Sequence, residues 1–286
     1  MKRLILLLIL ILASSHSVEA QGVIKRKKAS RPKVSHLVQS SPSRPAPPAS
    51  FGDGMLRVGD VSYKMVLVVV DSFDSFVVDA PPEQRTLLDW ERSRHSVTLS
   101  ADYYLGETEV TQALWQEVMG VNPSYFVGDD LPVENVSLYD CMEFVRHLNE
   151  LTGLHFRLPT EVEWVYAARG GNRSRYYQYA GSNSIDEVAW YRDNSGAMTH
   201  PVKGKQPNEL GFYDMSGNVH EWCLDSRARN SNVSRPNPNG SASGLATVFC
   251  GGNWFSDSSR CRIIYPDYFS SDHNLSFHGL RLALSE

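Results

Sequence analysis

Cysteine is scarce in this 286-residue chain, which carries four: Cys141, Cys223, Cys250 and Cys261. Four cysteines permit at most two disulfides, in three possible pairings between which the sequence does not choose. Compact catalytic signatures are missing as well. There is no His-Glu-x-x-His zinc helix, no glycine loop of the phosphate-cradling kind, no dinucleotide fingerprint and no Gly-x-Ser-x-Gly nucleophile elbow. Gly240-Ser241-Ala242-Ser243-Gly244 has the spacing of the last but sets alanine at the nucleophile's place. Internal repeats are absent, so the chain is not a solenoid or propeller.

A second absence is of negative charge near the start. Between residues 21 and 52 there is no acid, while Lys25, Arg26, Lys27, Lys28, Arg31, Lys33 and Arg44 are all positive. Before this arm, Lys2 and Arg3 precede an apolar run from Leu4 to Ala13, closed by Val18-Glu19-Ala20. That run is shorter than the roughly 20 residues of a membrane span. Residues 1–20 therefore read as a secretory signal peptide, and no cysteine follows them to accept a lipid. Residues 21–55, basic and then Ser/Pro-rich, read as a disordered linker: a solvated spacer, or alternatively an attachment to the cell envelope. Residues 56–286 hold 19 Lys and Arg against 30 Asp and Glu, about −11 net, which argues against nucleic acid as the partner. The expected location is secreted, periplasmic or at the cell surface.

Within residues 56–286, Tyr63–Val70 and Ser96–Leu105 read as strands. Three helices follow. One carries Val110, Leu114, Trp115 and Val118 on one face and stops at Gly120. The next starts at Ser137 with Asp140 three residues on, and Gly153 lies past its end. The third opens with Thr160 and Glu163 as a capping box. After Gly170 helical periodicity all but disappears for about a hundred residues. Short strands are expected at Val219–Leu224, Thr247–Phe255, Cys261–Tyr265 and Gly279–Leu284.

Six motifs then stand in order: Gly106-Glu107-Thr108-Glu109-Val110-Thr111, Leu131-Pro132-Val133-Glu134-Asn135-Val136-Ser137, Arg157-Leu158-Pro159-Thr160-Glu161-Val162-Glu163-Trp164, the stretch from Gly211 to Trp222, Gly251-Gly252-Asn253-Trp254, and Gly279-Leu280-Arg281. Together they resemble the formylglycine-generating enzyme, or sulfatase-modifying factor, family, over about Tyr63 to Leu284. The resemblance implies a C-type-lectin-like α+β fold with few helices, short strands and much irregular structure. It also implies an oxidoreductase chemistry: oxidation of a substrate cysteine to formylglycine with Cu(I) and O2, the metal held by two cysteines five residues apart. Here the second is Cys261 and the first is Ser256. A protonated hydroxyl is a hard ligand and soft thiolates select Cu(I), so copper is not expected to bind, and Cys261 is catalytic only if the oxidase survives. Asn253 departs as well, since the enzymes carry serine there. For Cys250 and Cys261 three readings stay open: two unpaired buried thiols, a disulfide, or a metal pair.

The resemblance further implies a structural calcium ion on Asn218 and Glu221, hard oxygen donors of the kind calcium takes. The alternative is that Asn218 caps a turn and Glu221 pairs with an arginine. Around the altered copper position, Asn253, Phe255, Ser256, Asp257, Arg260, Tyr265, Tyr268, Phe269, His273 and Asn274 mix aromatics with small polar residues, a composition suited to adaptable recognition. This segment resembles the variable region of C-type-lectin-like proteins diversified by retroelements. The expected function is an exported ligand-binding or display domain for a protein, peptide or glycan. The alternatives are the copper oxidase and a structural part of a cell-envelope assembly.

Overall fold

Capping chemistry decides where the helices begin. Thr111 accepts from the Leu114 amide at the head of α1 (Gln112–Met119). Ser137 and Asp140 exchange hydrogen bonds as a capping box before α2 (Leu138–Thr152), and Thr160 and Glu163 do the same before α3 (Glu161–Ala168). Gly120 and Gly153 end α1 and α2, both with φ near +70°. A fourth helix, α4 (Ile185–Val188), is one turn long. The expected starts and stops of the first three helices hold to within a residue or two.

This computed structural model describes residues 46–70, 75–77, 96–99, 101–228, 245–265, 267–270, 272 and 274–285. The apolar run Leu4–Ala13 and residues 21–45 of the basic linker lie outside the described residues. No described helix is long and apolar enough to cross a membrane.

The strands in chain order are β1 (Ala49–Gly52), β2 (Met55–Val58), β3 (Val61–Val68), β4 (Ser75–Val77), β5 (Ser96–Thr98), β6 (Tyr103–Gly106), β7 (Phe156–Arg157), β8 (His220–Ala228), β9 (Leu245–Cys250), β10 (Asp267–Ser270), β11 (His278–Gly279) and β12 (Ala283–Ser285). Six form an antiparallel sheet in the order β1-β2-β3-β6-β12-β7. Four form a second sheet, β10-β9-β8-β11, in which β11 runs parallel to β8. β4 and β5 pair with each other. Residues from Pro45 to Glu286 make one compact unit.

Several expectations change here: Gly279–Leu284 is two strands, β11 and β12, in different sheets, and Thr247–Phe255 is strand only as far as Cys250. Among the described residues the first strand starts at Ala49, ahead of the expected residue 56: Phe51 in β1 pairs with Leu56 in β2 and packs edge-on against Tyr104 and Phe156. Ser96–Leu105 is two strands, β5 and β6, in two different sheets. Cys261–Tyr265 is no strand: the Asp257 carboxylate accepts from the Ser259 amide and winds Ser258–Cys261 into a 3-10 turn, so that β10 starts only at Asp267. That local hydrogen bond offers the backbone an alternative to a ladder.

Two buried clusters carry the core. Leu114, Trp115, Phe144, Leu148, Leu158 and Trp222 centre one; Trp164, Val165, Phe212, Val248 and Ile263 centre the other. Between α3 and β8, regular structure gives way to side chains that bind backbone. Asn208 donates to Ala167 and Ala168 carbonyls and accepts from the Leu210 and Phe212 amides, and Asn194 bridges Ala189 and Tyr191. Such bonds replace the ladders a buried segment would otherwise need.

Candidate functional site

The loop after β9 is built on two glycines with positive φ, Gly251 and Gly252. A Cβ on Gly252 would sit 2.7 Å from the Cys261 sulfur and 2.9 Å from its Cα, so only glycine lets the 3-10 turn close over the loop. Asn253 follows, buried. Its amide donates to Ser256 Oγ at 3.1 Å, its side-chain oxygen accepts from the Phe255 amide at 2.7 Å, and its carbonyl accepts from the Ser256 amide. Ser256 is therefore a buried turn-former, its hydroxyl oxygen already engaged. The Ser256 carbonyl accepts from Arg192, and the Trp254 carbonyl accepts from Ser195 Oγ at 2.7 Å.

Cys261 is fully buried among Tyr179, Val188, Ala189 and Tyr191. Burial, reinforced by the Asp257 charge and only partly opposed by the Asn253 amide, pushes its thiol up to about 12. The Ser256 hydroxyl, a hard donor whose oxygen already accepts from the Asn253 amide, does not complete the soft two-thiolate set that Cu(I) takes. All four cysteines are free and buried. The sulfur beside Cys250 is that of Cys223, at 3.9 Å, whereas Cys261 packs in a separate cluster. Neither the Cys250–Cys261 disulfide nor a metal pair of those two fits that arrangement.

Asn218 and Glu221 lie under this loop, in a buried network. Arg281 sets Nε and an Nη on the two Glu221 oxygens at 2.9 and 2.7 Å, and Trp164 Nε1 donates to one of them at 2.6 Å. Both residues of the ion pair are fully buried. The rest of the guanidinium donates to the Gly106 and Tyr213 carbonyls. Asn218, with φ of +59°, bonds the His200 amide and carbonyl and donates to Glu109 at 2.7 Å. Calcium on the Asn218–Glu221 pair does not fit. The amide oxygen is spent on His200, and a divalent ion at Glu221 would compete with the guanidinium that already neutralises it. Among the described residues no group of three His, Cys, Asp or Glu is placed to hold a metal ion. The alternative reading, in which Glu221 pairs with an arginine, is the one observed, with Arg281 as the partner; sequence reasoning missed Glu109 and Asp214, which complete this centre. Burial raises the Glu109 and Asp214 carboxyls, Asp214 to about 6, and the carboxylates of the cluster add to it.

One bond joins the network to the aromatic surface: the Asn218 carbonyl accepts from the Trp254 amide at 2.8 Å. Trp254 is the hub of an aromatic patch. Phe126 meets it edge-on at 5.6 Å, Phe255 at 5.6 Å and Phe277 at 6.5 Å, and Tyr125 packs on Phe126 at 4.9 Å. Phe255, Tyr125 and Val127 are 61%, 67% and 79% exposed. The loop 121–128 that supplies half of this patch was not singled out from the sequence. Its signal is Tyr125-Phe126-Val127 lying between a helix stop at Gly120 and a turn, where no core position explains three apolar residues in a row. The loop is held firmly. One Glu134 oxygen accepts from the Tyr125 and Phe126 amides, and Gln112 holds the Phe126 carbonyl and the Gly128 amide.

Of the remaining candidates, Asp257 caps the 3-10 turn, Arg260 pairs with Asp267 and lies 5.8 Å from the Tyr265 ring, and Asn274 is exposed. Tyr268 and Phe269 have backbone places in β10, opposite Val248 and Thr247. His273 lies outside the described residues.

Comparison with known proteins agrees with this geometry. The chain is 35% identical over 244 residues to a "Chaperone protein LppX" of Paenibacillus barcinonensis, covering 68% of this chain and 84% of that one. It is 32% identical over 168 residues to the formylglycine-generating enzyme of Streptomyces coelicolor, covering 53% of this chain and about half, 51%, of the enzyme. Among solved structures, Treponema denticola variable protein 1 superposes with a TM-score of 0.68 at 31% identity, covering 81% of this chain and 98% of that one. The α+β, C-type-lectin-like fold expected from the motifs is thus the fold observed. The family model described as "Sulfatase-modifying factor enzyme 1-like domain" matches residues 62–286, and the chain belongs to that family.

Proposed function

We propose that this protein is an exported polypeptide-binding domain that has kept the family scaffold and given up formylglycine generation. The observation that carries the reading is the shared loop: Ser256 and the buried Cys261 stand where the resemblance sets a copper pair, while Phe255 and Trp254 of the same loop join Phe126 and Tyr125 in an apolar patch whose Phe255 and Tyr125 are exposed. Aromatic side chains give large contact area at low entropic cost, and the tight anchoring of both loops lowers the ordering cost of binding. A polypeptide is favoured over a glycan by the further exposed aliphatic residues of loop 121–128, Val121 and Val127, and by the name of the chaperone relative. Export is supported by the Leu4–Ala13 run and the small-residue cleavage pattern.

The test is binding of a denatured model protein, reduced carboxymethylated lactalbumin, by fluorescence anisotropy. The reading expects saturable binding that a Tyr125→Ser/Phe255→Ser variant loses by at least tenfold with folding intact. Equal binding by the variant sinks it, and binding to a glycan panel in its place would move the ligand class. The oxidase alternative is decided separately, by turnover of a sulfatase-type cysteine peptide with Cu(I) and O2.

A further inference from the structure

Cys223 and Cys250 belong to adjacent antiparallel strands, β8 and β9, whose register pairs Glu221 with Cys250 and Trp222 with Phe249. Their sulfurs are 3.9 Å apart and fully buried in the cluster with Trp164 and Val248. The other two thiols lie in other clusters, Cys141 on α2 and Cys261 in the 3-10 turn. A disulfide has its sulfurs about 2.05 Å apart, so closing the bond asks each sulfur to move roughly 1 Å. Cys223 lies two residues past the Glu221–Cys250 pair, on the same face of β8 and beside a register shift, so the two thiols are diagonal neighbours across the strands.

From this geometry we infer that Cys223 and Cys250 are a cross-strand redox pair, thiols in the form described here and a disulfide after oxidation. The oxidant is a disulfide compound, either glutathione disulfide or a dithiol-disulfide exchange protein of an oxidising compartment. One thiol loses its proton and attacks the oxidant's disulfide, releasing one thiol. The second protein thiol loses its proton and displaces the other. Cys223 and Cys250 lose two electrons and two protons in all, and the oxidant takes them up as two thiols. Burial pushes both thiols above their ordinary range, so exchange is slow once the strands have closed. The bond is expected to form as β8 and β9 come together. Once made, it ties the strand that enters the Gly251-Gly252 loop to the strand that carries Glu221, beneath the aromatic patch.

Thiol mapping tests the pairing. Full-length protein is collected after export and, in parallel, refolded with oxidised and reduced glutathione. Both preparations are denatured in N-ethylmaleimide without reductant and digested. The expected result is maleimide on Cys141 and Cys261 and a linked peptide pair containing Cys223 and Cys250 that separates on reduction. Reduction should also lower the thermal midpoint of the wild type by several degrees and leave a Cys223→Ala/Cys250→Ala variant unmoved. Maleimide on all four cysteines in both preparations, or a bridge that includes Cys141 or Cys261, would overturn the inference. Neither outcome bears on the polypeptide reading, which the patch variant tests independently.

Discussion

A fully buried arginine is costly unless its charge is met at close range, and Arg281 shows how this fold meets it. Two Glu221 oxygens and two backbone carbonyls occupy the guanidinium; burial disfavours its charge, and Glu221's attraction and hydrogen bonds, with Tyr63 and Glu109, together more than offset that. Arg281→Met should therefore leave Glu221 buried and unneutralised and cost about 3–5 kcal/mol in urea unfolding. This pairing was only half legible in the sequence. The Gly279-Leu280-Arg281 and Glu221-Trp222 motifs were visible, but a sequence separation of 60 hides which arginine serves which carboxylate. Calcium was the expectation for Glu221 because oxygen donors read alike for a metal and for a guanidinium. Glu134 is a second residue-scale case. Burial raises its carboxyl to about 7, against the pull of the Phe126 and Tyr125 amides. A carboxyl whose folded pKa is raised stabilises the fold fully below its unfolded value near 4.3, and that contribution is lost as pH rises towards the folded value. Chemical-denaturation stability should thus decline between about pH 4 and pH 7 on account of Glu134, and Glu134→Gln should flatten that part of the profile.

Among the elements, helices were easier to read than strands because their ends are written locally. Ser137 with Asp140, and Thr160 with Glu163, satisfy first-turn amides within three residues of themselves, so a short stretch of sequence contains the whole signal. Ser137→Ala or Thr160→Ala should cost about 1 kcal/mol each, measured as a shift of the denaturation midpoint without a change of slope. Strand signals are weaker because a strand's partner lies elsewhere in the chain. The run Cys261–Tyr265 reads as a strand on its apolar residues, but Asp257 captures the preceding backbone first and turns it. β1 was hidden for the opposite reason: four residues next to a Ser/Pro-rich stretch carry little periodicity, and Phe51 finds its partners on β2, β6 and β7.

Across the whole molecule, a rigid buried centre sits under two anchored loops that present apolar side chains. Trp254 belongs to both parts, since its amide is held by Asn218 and its ring supports Phe126 and Phe255. Exposed Tyr125 and Phe255 contribute little to the core, so the Tyr125→Ser/Phe255→Ser variant should stay within about 0.5 kcal/mol of wild type per substitution while losing its ligand. The residues at the altered copper position were legible from the start. The half of the patch on loop 121–128 was not, because only the fold brings it beside Trp254. The central claim is that the family's metal chemistry is gone from this loop, and copper stoichiometry tests it most directly. After incubation with Cu(I) under a thiol competitor and desalting, wild type and Cys261→Ser should carry the same, near-zero copper. One equivalent of Cu(I) in the wild type that disappears in Cys261→Ser would contradict the account.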